Sequence, residues 1–155
     1  MSGIGVRYVD LYVLRRRDEA WELLTLRRAA GTRCTGAWEV VHGHLEEEER
    51  PVAAALRELR EETGFEAERL YNLSRVETFY QHRLDEVALV PVFAALVAPE
   101  AMVVTGAEHD RFEWLGPTEA RRRFAWPREA RALDDVVTLL GSGGAGAVDD
   151  VLRVC

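Results

Sequence analysis

Disulfide chemistry has little to work with in this chain: of its 155 residues only Cys34 and Cys155 are cysteines, and one such pair defines no disulfide framework. Long apolar runs are equally scarce. The N-terminal stretch "MSGIGVRYVDLYVLRRRDEA" reaches charge too soon for a secretory signal, and no segment approaches the apolar length that crosses a bilayer. The expected location is therefore the cytoplasm, with no membrane partner. Excess positive charge is missing too. A net charge of -7 argues against a broad basic surface gripping duplex nucleic acid, and leaves open an anionic small molecule if a bound cation offsets the repulsion. Neither repeats nor an internal linker divide the chain. A single domain is expected over 1–140, followed by a glycine-rich tail over 141–155, where "GSGGAGA" has little reason to be ordered.

What is present suits a globular enzyme. Apolar residues make up 48% and charged residues 30%, which excludes a disordered chain, and the length allows a real core without metal or disulfide staples. "VRYVDLYVLRR" (6–16) and "WELLTLRR" (21–28) read as an antiparallel pair joined by the polar "RDEA", and "RAAGTRCTGA" reads as a loop. "WEVVHG" (38–43) reads as one short strand. Pro51 then opens a helix of good helix formers that stops at Gly64. Further strands are expected over 74–81, 86–97 and 110–115, with an edge or bulge at Pro91. "TEARRRF" and "REARALDDVVTLL" read as two helices separated by Trp126-Pro127. The order implies an α/β protein, with helices on the faces of a mixed central sheet.

The segment "GHLEEEERPVAAALRELREETGF" (43–65) concentrates glutamate on one stretch. In its helix Val52, Leu56, Leu59 and Thr63 make a mostly apolar stripe, while Glu58, Glu61 and Glu62, at i, i+3 and i+4, converge on a different face. Carboxylates so close repel unless a cation lies between them. Mg²⁺ suits such a site because it takes oxygen ligands and bridges carboxylates to phosphates. The plainer alternative is a solvated helix balanced by local pairs such as Arg57 with Glu61.

Residue order separates these alternatives. Gly43, Glu49, Arg57, Glu58, Leu59, Glu61, Glu62, Gly64 and Phe65 occupy every position of the Nudix motif, so the chain resembles a Nudix hydrolase. The resemblance implies an α/β/α sandwich and Mg²⁺- or Mn²⁺-dependent cleavage of a nucleoside diphosphate linked to another group. It implies Gly43 (through its carbonyl), Glu58, Glu61 and Glu62 as metal ligands, Glu62 foremost, and Arg57 as the residue that holds the glutamates, with Glu49 as a further partner. A planar guanidinium with several donors suits that role. Glu46, Glu47 and Glu48 fall at variable positions and are expected in a solvated loop. Glu58, Glu61 or a carboxylate outside the motif serves as the base in such enzymes, and Glu108 in "TGAEHDRFEWL" is the outer candidate, against the alternative of a surface turn.

For the substrate, Arg27 and Arg28 could meet phosphate oxygens or a base edge, or simply end a strand. Tyr80, with Phe79 and His82 nearby, could stack on a flat ring, or pack as core. "AWEVVHGHLEEEE", "DEVALVPVFAALV" and "AEHDRFEWLGPTEA" are similar to the branch of dihydroneopterin triphosphate and dATP diphosphatases, whose Glu-His and Trp-Leu pairs match Glu108-His109 and Trp114-Leu115. That branch implies a nucleotide or pterin triphosphate cleaved to monophosphate and pyrophosphate. Dinucleoside polyphosphate hydrolysis is the alternative enzyme, compatible with Tyr80. A silent nucleotide-binding regulatory module is the alternative without turnover. A homodimer is left open.

Overall fold

The computed structural model describes residues 2–155 and shows an α/β/α sandwich around a mixed sheet. The strands are β1 (Gly3–Val6), β2 (Tyr8–Arg17), β3 (Ala20–Arg28), β4 (Trp38–Glu39), β5 (Val41–His44), β6 (Arg69–Gln81), β7 (Glu86–Leu96) and β8 (His109–Leu115). The helices are α1 (Pro51–Thr63), α2 (Pro117–Arg123), α3 (Pro127–Leu140) and α4 (Asp149–Leu152). Among the described residues no helix is long and apolar enough to cross a membrane.

The β2–β3 hairpin turns through Asp18 and Glu19, both left-handed at φ 50 and 63, the geometry of a two-residue turn whose twist matches its strands. The two strands pair only near that turn, from Leu14 with Leu23 to Arg17 with Ala20. Where they diverge, β5 fills the gap on β2 and β4 fills it on β3. The run 38–43, expected as one strand, is thus two. Its break is at Val40, whose amide donates to Glu129 Oε2 at 2.8 Å instead of joining a ladder.

β7 is interior, with β1 and β2 parallel to it on one side and β6 antiparallel on the other. Pro91 lies where β1 has stopped pairing at Leu89 and β2 has not begun at Val92, opposite an irregularity in β6 between Asn72 and Val76. The expected bulge is therefore in the facing strand, and a proline without an N–H fits that interruption.

Strand alternation divides the core. Val9, Leu11 and Val13 of β2 face α1 with Ala54, Ala55 and Leu59, whereas Tyr12 and Leu14 face α3 with Leu133, Val136 and Leu140. The tail, expected to be unstructured, also packs there. Ala145 and Leu152 are buried in the α3-side core, and Leu70 of β6 donates to Cys155 O (3.0 Å) and accepts from the Val154 amide (2.7 Å). An edge strand with open backbone groups offers partners that tail composition does not reveal.

Asp10, on the face of β2 that carries Tyr12 and Leu14, is buried. Its carboxylate meets His42 Nδ1 at 2.6 Å and Arg128 Nε at 2.9 Å. Burial pushes its pKa up, but the bonds and charges of His42 and then Arg128 win and hold it at about 2, below the ordinary 3.8. A depressed carboxyl contributes stability that is present above 3.8 and lost as pH falls toward 2. Asp10→Ala is expected to cost about 3–5 kcal/mol at neutral pH, because it leaves Arg128 buried without its partner. Denaturant titrations at pH 7 and pH 3 check this: the gap between wild type and variant should narrow at the lower pH.

Candidate active site

Helix α1 begins at Pro51, where a missing N–H costs nothing, and ends at Gly64, left-handed at φ 76, whose amide donates to Arg60 O. Its buried face is Ala54, Ala55, Glu58, Leu59, Glu62 and Thr63, with Val52 and Leu56 at the margin. The three glutamates therefore do not share one environment. Glu58 and Glu62 turn inward, while the Glu61 side chain is 57% exposed.

Arg57 organises the outer part of the site. Nε and Nη2 form a two-pronged bond to Glu49 (2.8 and 2.9 Å), Nη1 donates to Glu58 (2.7 Å) and Glu61 (3.1 Å), and Nη2 also donates to His44 O (2.9 Å). Five acceptors thus match the five guanidinium N–H groups. Bonds from Arg57, and the Glu46 amide, hold the Glu49 carboxyl at about 2, and the Glu49 and Glu58 carboxylates keep Arg57 firmly charged. Beneath them the Glu58 side chain crosses Gly43 so closely that a Cβ there would lie inside its carboxyl group, which explains the glycine.

The inner part is Glu62. It is 4% exposed, and neither carboxyl oxygen has a hydrogen-bond partner among the described residues. Burial, then the charges of Glu58, Glu108 and Glu39, push its pKa well up; the His42 backbone opposes this weakly, without a formed hydrogen bond. Glu58 is raised for the same first reason, against the pull of Arg57. His109 Nδ1 stands 3.9 Å from Glu62 Oε2 and also lacks a partner, while its Nε2 bonds Glu39 at 3.0 Å. Burial disfavours the Glu39 charge, but His109 and Arg28, the latter at 3.0 Å, outweigh it and lower its pKa.

Glu108 precedes β8 in a loop strapped to the end of α1. The Val104 amide donates to Thr63 O at 2.9 Å, and Gly106 passes so near the Glu61 carbonyl that a Cβ would come within 2.8 Å of it. The Glu108 side chain is 59% exposed, 4.0 Å from Arg28, and its charge reaches both Glu58 and Glu62. Of the two arginines ending β3, Arg28 joins this cluster, whereas Arg27 is paired with Asp110 through two bonds of 2.8 and 3.0 Å. Tyr80 is exposed and bonds Asp85 near the β6–β7 turn, His82 is exposed in that turn, and Phe79 packs beside Tyr8.

Sequence reasoning missed Glu39, whose partners are Arg28 on the neighbouring strand and His109, 70 residues away, and the Asp10–Arg128 pair, 118 residues apart. No local spacing signals either. Among the described residues no three acidic, histidine or cysteine side chains already stand in metal-binding proximity. The buried, unbonded oxygens of Glu62 nevertheless fit a hard divalent cation, which takes oxygen ligands and relieves the repulsion.

Comparison with known proteins places this geometry in context. A family model described as the NUDIX domain matches residues 6–136. The chain is 35% identical over 126 residues to an octanoyltransferase of Myxococcus xanthus, covering 77% of this chain and 33% of that protein, so it spans about a third of that relative. It is 33% identical over 125 residues to the asymmetrical bis(5'-nucleosyl)-tetraphosphatase of Mus musculus, covering 76% of this chain and 83% of that one. The binary complex of a C. elegans Ap4A hydrolase superposes with a TM-score of 0.74 at 21% identity, covering 89% of this chain and 99% of the other.

Proposed function

This chain belongs to the Nudix family, and from that premise we propose that it is a Mg²⁺- or Mn²⁺-dependent pyrophosphohydrolase that cleaves a nucleoside or pterin triphosphate to its monophosphate and pyrophosphate. The observation that carries this reading is the pairing of a saturated Arg57 clamp with a buried, unbonded Glu62 carboxyl. Glu62, with Glu58, Glu61 and the Gly43 carbonyl, would hold the metal. When bound, the ion neutralises polyphosphate charge and lowers the pKa of a coordinated water.

The chain's own residues supply the rest. Arg57 orients the Glu58 and Glu61 carboxylates through its Nη1. Glu108, exposed and not bound by Arg57, takes the proton of the attacking water. Arg28 stands beside it and offers positive charge to the polyphosphate. Glu108→Gln keeps size while removing charge, and turnover should fall about 10²–10⁴-fold with folding and nucleotide binding retained. Turnover near wild type would move the base role to Glu58 or Glu61.

Dinucleoside polyphosphate hydrolysis is a second reading, favoured by the similarity to the mouse tetraphosphatase. Purified protein with either ion, offered nucleoside triphosphates, a pterin triphosphate and dinucleoside polyphosphates, separates the two by product analysis with ³¹P NMR. Pyrophosphate from a triphosphate supports the first reading, and preferential cleavage of dinucleoside polyphosphates supports the second. Saturable nucleotide binding without cleavage of any of them would make the domain a regulatory module.

A further inference from the structure

The His109 side chain is fully buried, yet one of its ring nitrogens has no hydrogen-bond partner among the described residues. Its place is set by an irregularity in the sheet. Between β3 and β8, Arg27 pairs with Arg111, and the next residue, Arg28, pairs with His109 and not with Asp110. The extra residue makes a bulge, which re-aims a side chain. Asp110 is left to bond Arg27, while His109 bonds Glu39, the carboxylate that Arg28 also holds.

Glu39 fixes how the ring is presented. Its Oε1 accepts from Arg28 Nη1 at 3.0 Å and meets His109 Nε2 at 3.0 Å, and Trp126 Nε1 reaches its Oε2 at 3.4 Å. An ionised carboxylate can only accept, so the hydrogen of the neutral ring is on Nε2, and Nδ1 presents a lone pair. That lone pair faces Glu62 Oε2 at 3.9 Å, and neither Glu62 oxygen is bonded among the described residues. Three buried acceptors thus stand together without a donor, an arrangement that costs free energy until something positive lies between them. The gap has the right size for an ion. An oxygen and a nitrogen each about 2.1 Å from one cation stand about 3.0 Å apart at right angles and about 4.2 Å apart in line. A histidine that binds a metal through one nitrogen characteristically donates its other N–H to a carboxylate, as Nε2 does here to Glu39.

We propose that His109 Nδ1 is a nitrogen ligand of the cation held by Glu62, with the ring oriented by Glu39 and Arg28. The assignment rests on the reading of Glu62 as a metal ligand and goes beyond it, adding an imidazole nitrogen to the oxygen donors of α1 and the Gly43 carbonyl. Its consequence is selectivity. A nitrogen donor does little for Mg²⁺, a hard ion, and more for Mn²⁺ and the later divalent transition ions, so the site is biased toward those.

The test is pulsed EPR of Mn²⁺ bound substoichiometrically to the full chain. The electron spin echo of the wild type should carry the modulation of a directly bound ¹⁴N nucleus, and labelling histidine alone with ¹⁵N should replace it with that of ¹⁵N. The modulation should vanish in His109→Gln and survive in His44→Gln, which removes the exposed ring beside Gly43. Should His109→Gln not fold, survival of the modulation in His42→Gln, His44→Gln and His82→Gln makes the same assignment by exclusion, since the chain has four histidines. Calorimetry gives a second readout: His109→Gln should weaken Mn²⁺ binding about tenfold or more and Mg²⁺ binding far less, so that the ratio of the two affinities falls. Bound Mn²⁺ without histidine modulation, modulation that persists in His109→Gln, or equal losses of Mn²⁺ and Mg²⁺ affinity in the folded variant would each overturn the ligand assignment and leave the hydrolase reading standing. A wild type that binds neither ion would sink both.

Discussion

Glu62→Gln is expected to remove metal-dependent turnover by at least about 10²-fold, the scale of losing one preorganised charge at a transition state, while leaving the metal-free protein as stable as wild type or more so. Most buried-site substitutions destabilise, so the combination is diagnostic. Glu62 is buried, its carboxyl oxygens have no hydrogen-bond partner among the described residues, and Glu58, Glu108 and Glu39 all oppose its charge. Glutamine occupies the same volume without the charge. Because burial raises the folded pKa of this acid above its ordinary 4.5, the metal-free wild type should lose stability as pH rises above that value, and the variant should lack that slope. Adding Mg²⁺ should raise the Tm of the wild type, since an ion that binds only the folded state stabilises it, and should hardly move the variant. Thermal melts with and without Mg²⁺ from pH 5 to pH 8 read all three effects. Equal Mg²⁺ shifts in both proteins, or a metal-free variant much less stable than wild type, would show that Glu62 is not the ion's ligand.

Arg57→Ala should be nearly as damaging to turnover, about 10²-fold, for a different reason. The substitution removes the donor shared by Glu49, Glu58, Glu61 and His44 O, so two expected metal ligands and the loop ahead of α1 lose their common anchor. Loss of charged hydrogen bonds in this half-buried place should also cost roughly 2 kcal/mol of stability. Arg57→Lys is the informative companion. An ammonium has three donors on a single atom, so it keeps the charge but cannot meet Glu49 in two places and also reach Glu58 and Glu61. Lysine should therefore recover stability better than turnover, and both variants should need more Mg²⁺ for half-maximal rate. Full activity in Arg57→Lys would mean that charge alone mattered. Glu47→Gln, in the exposed part of the same acidic loop, should change little, which separates a built site from general acidity.

The acidic helix was legible because everything that defines it is local. Pro51 and Gly64 bound it, and the order from Gly43 to Phe65 specifies the motif within one short segment. The β2–β3 hairpin was legible for the same reason, since Asp18 and Glu19 join two β-rich runs at close range. The failures have the opposite character. The strand expected over 38–43 breaks because Glu129 captures the Val40 amide from 89 residues away, and the tail orders because β6 presents backbone partners from the middle of the chain.

The sequence by itself determined the family, the α/β class and the helix that carries the glutamates, because the motif and the helix signals all lie within one short segment. Only the tertiary structure decided which glutamates are buried and which is exposed. It also separated Arg28, beside Glu108, from Arg27, paired with Asp110, and brought Trp126 next to Glu39. These outcomes depend on desolvation and on partners from distant strands, and a carboxylate's environment is set by what folds over it, which spacing along the chain does not encode.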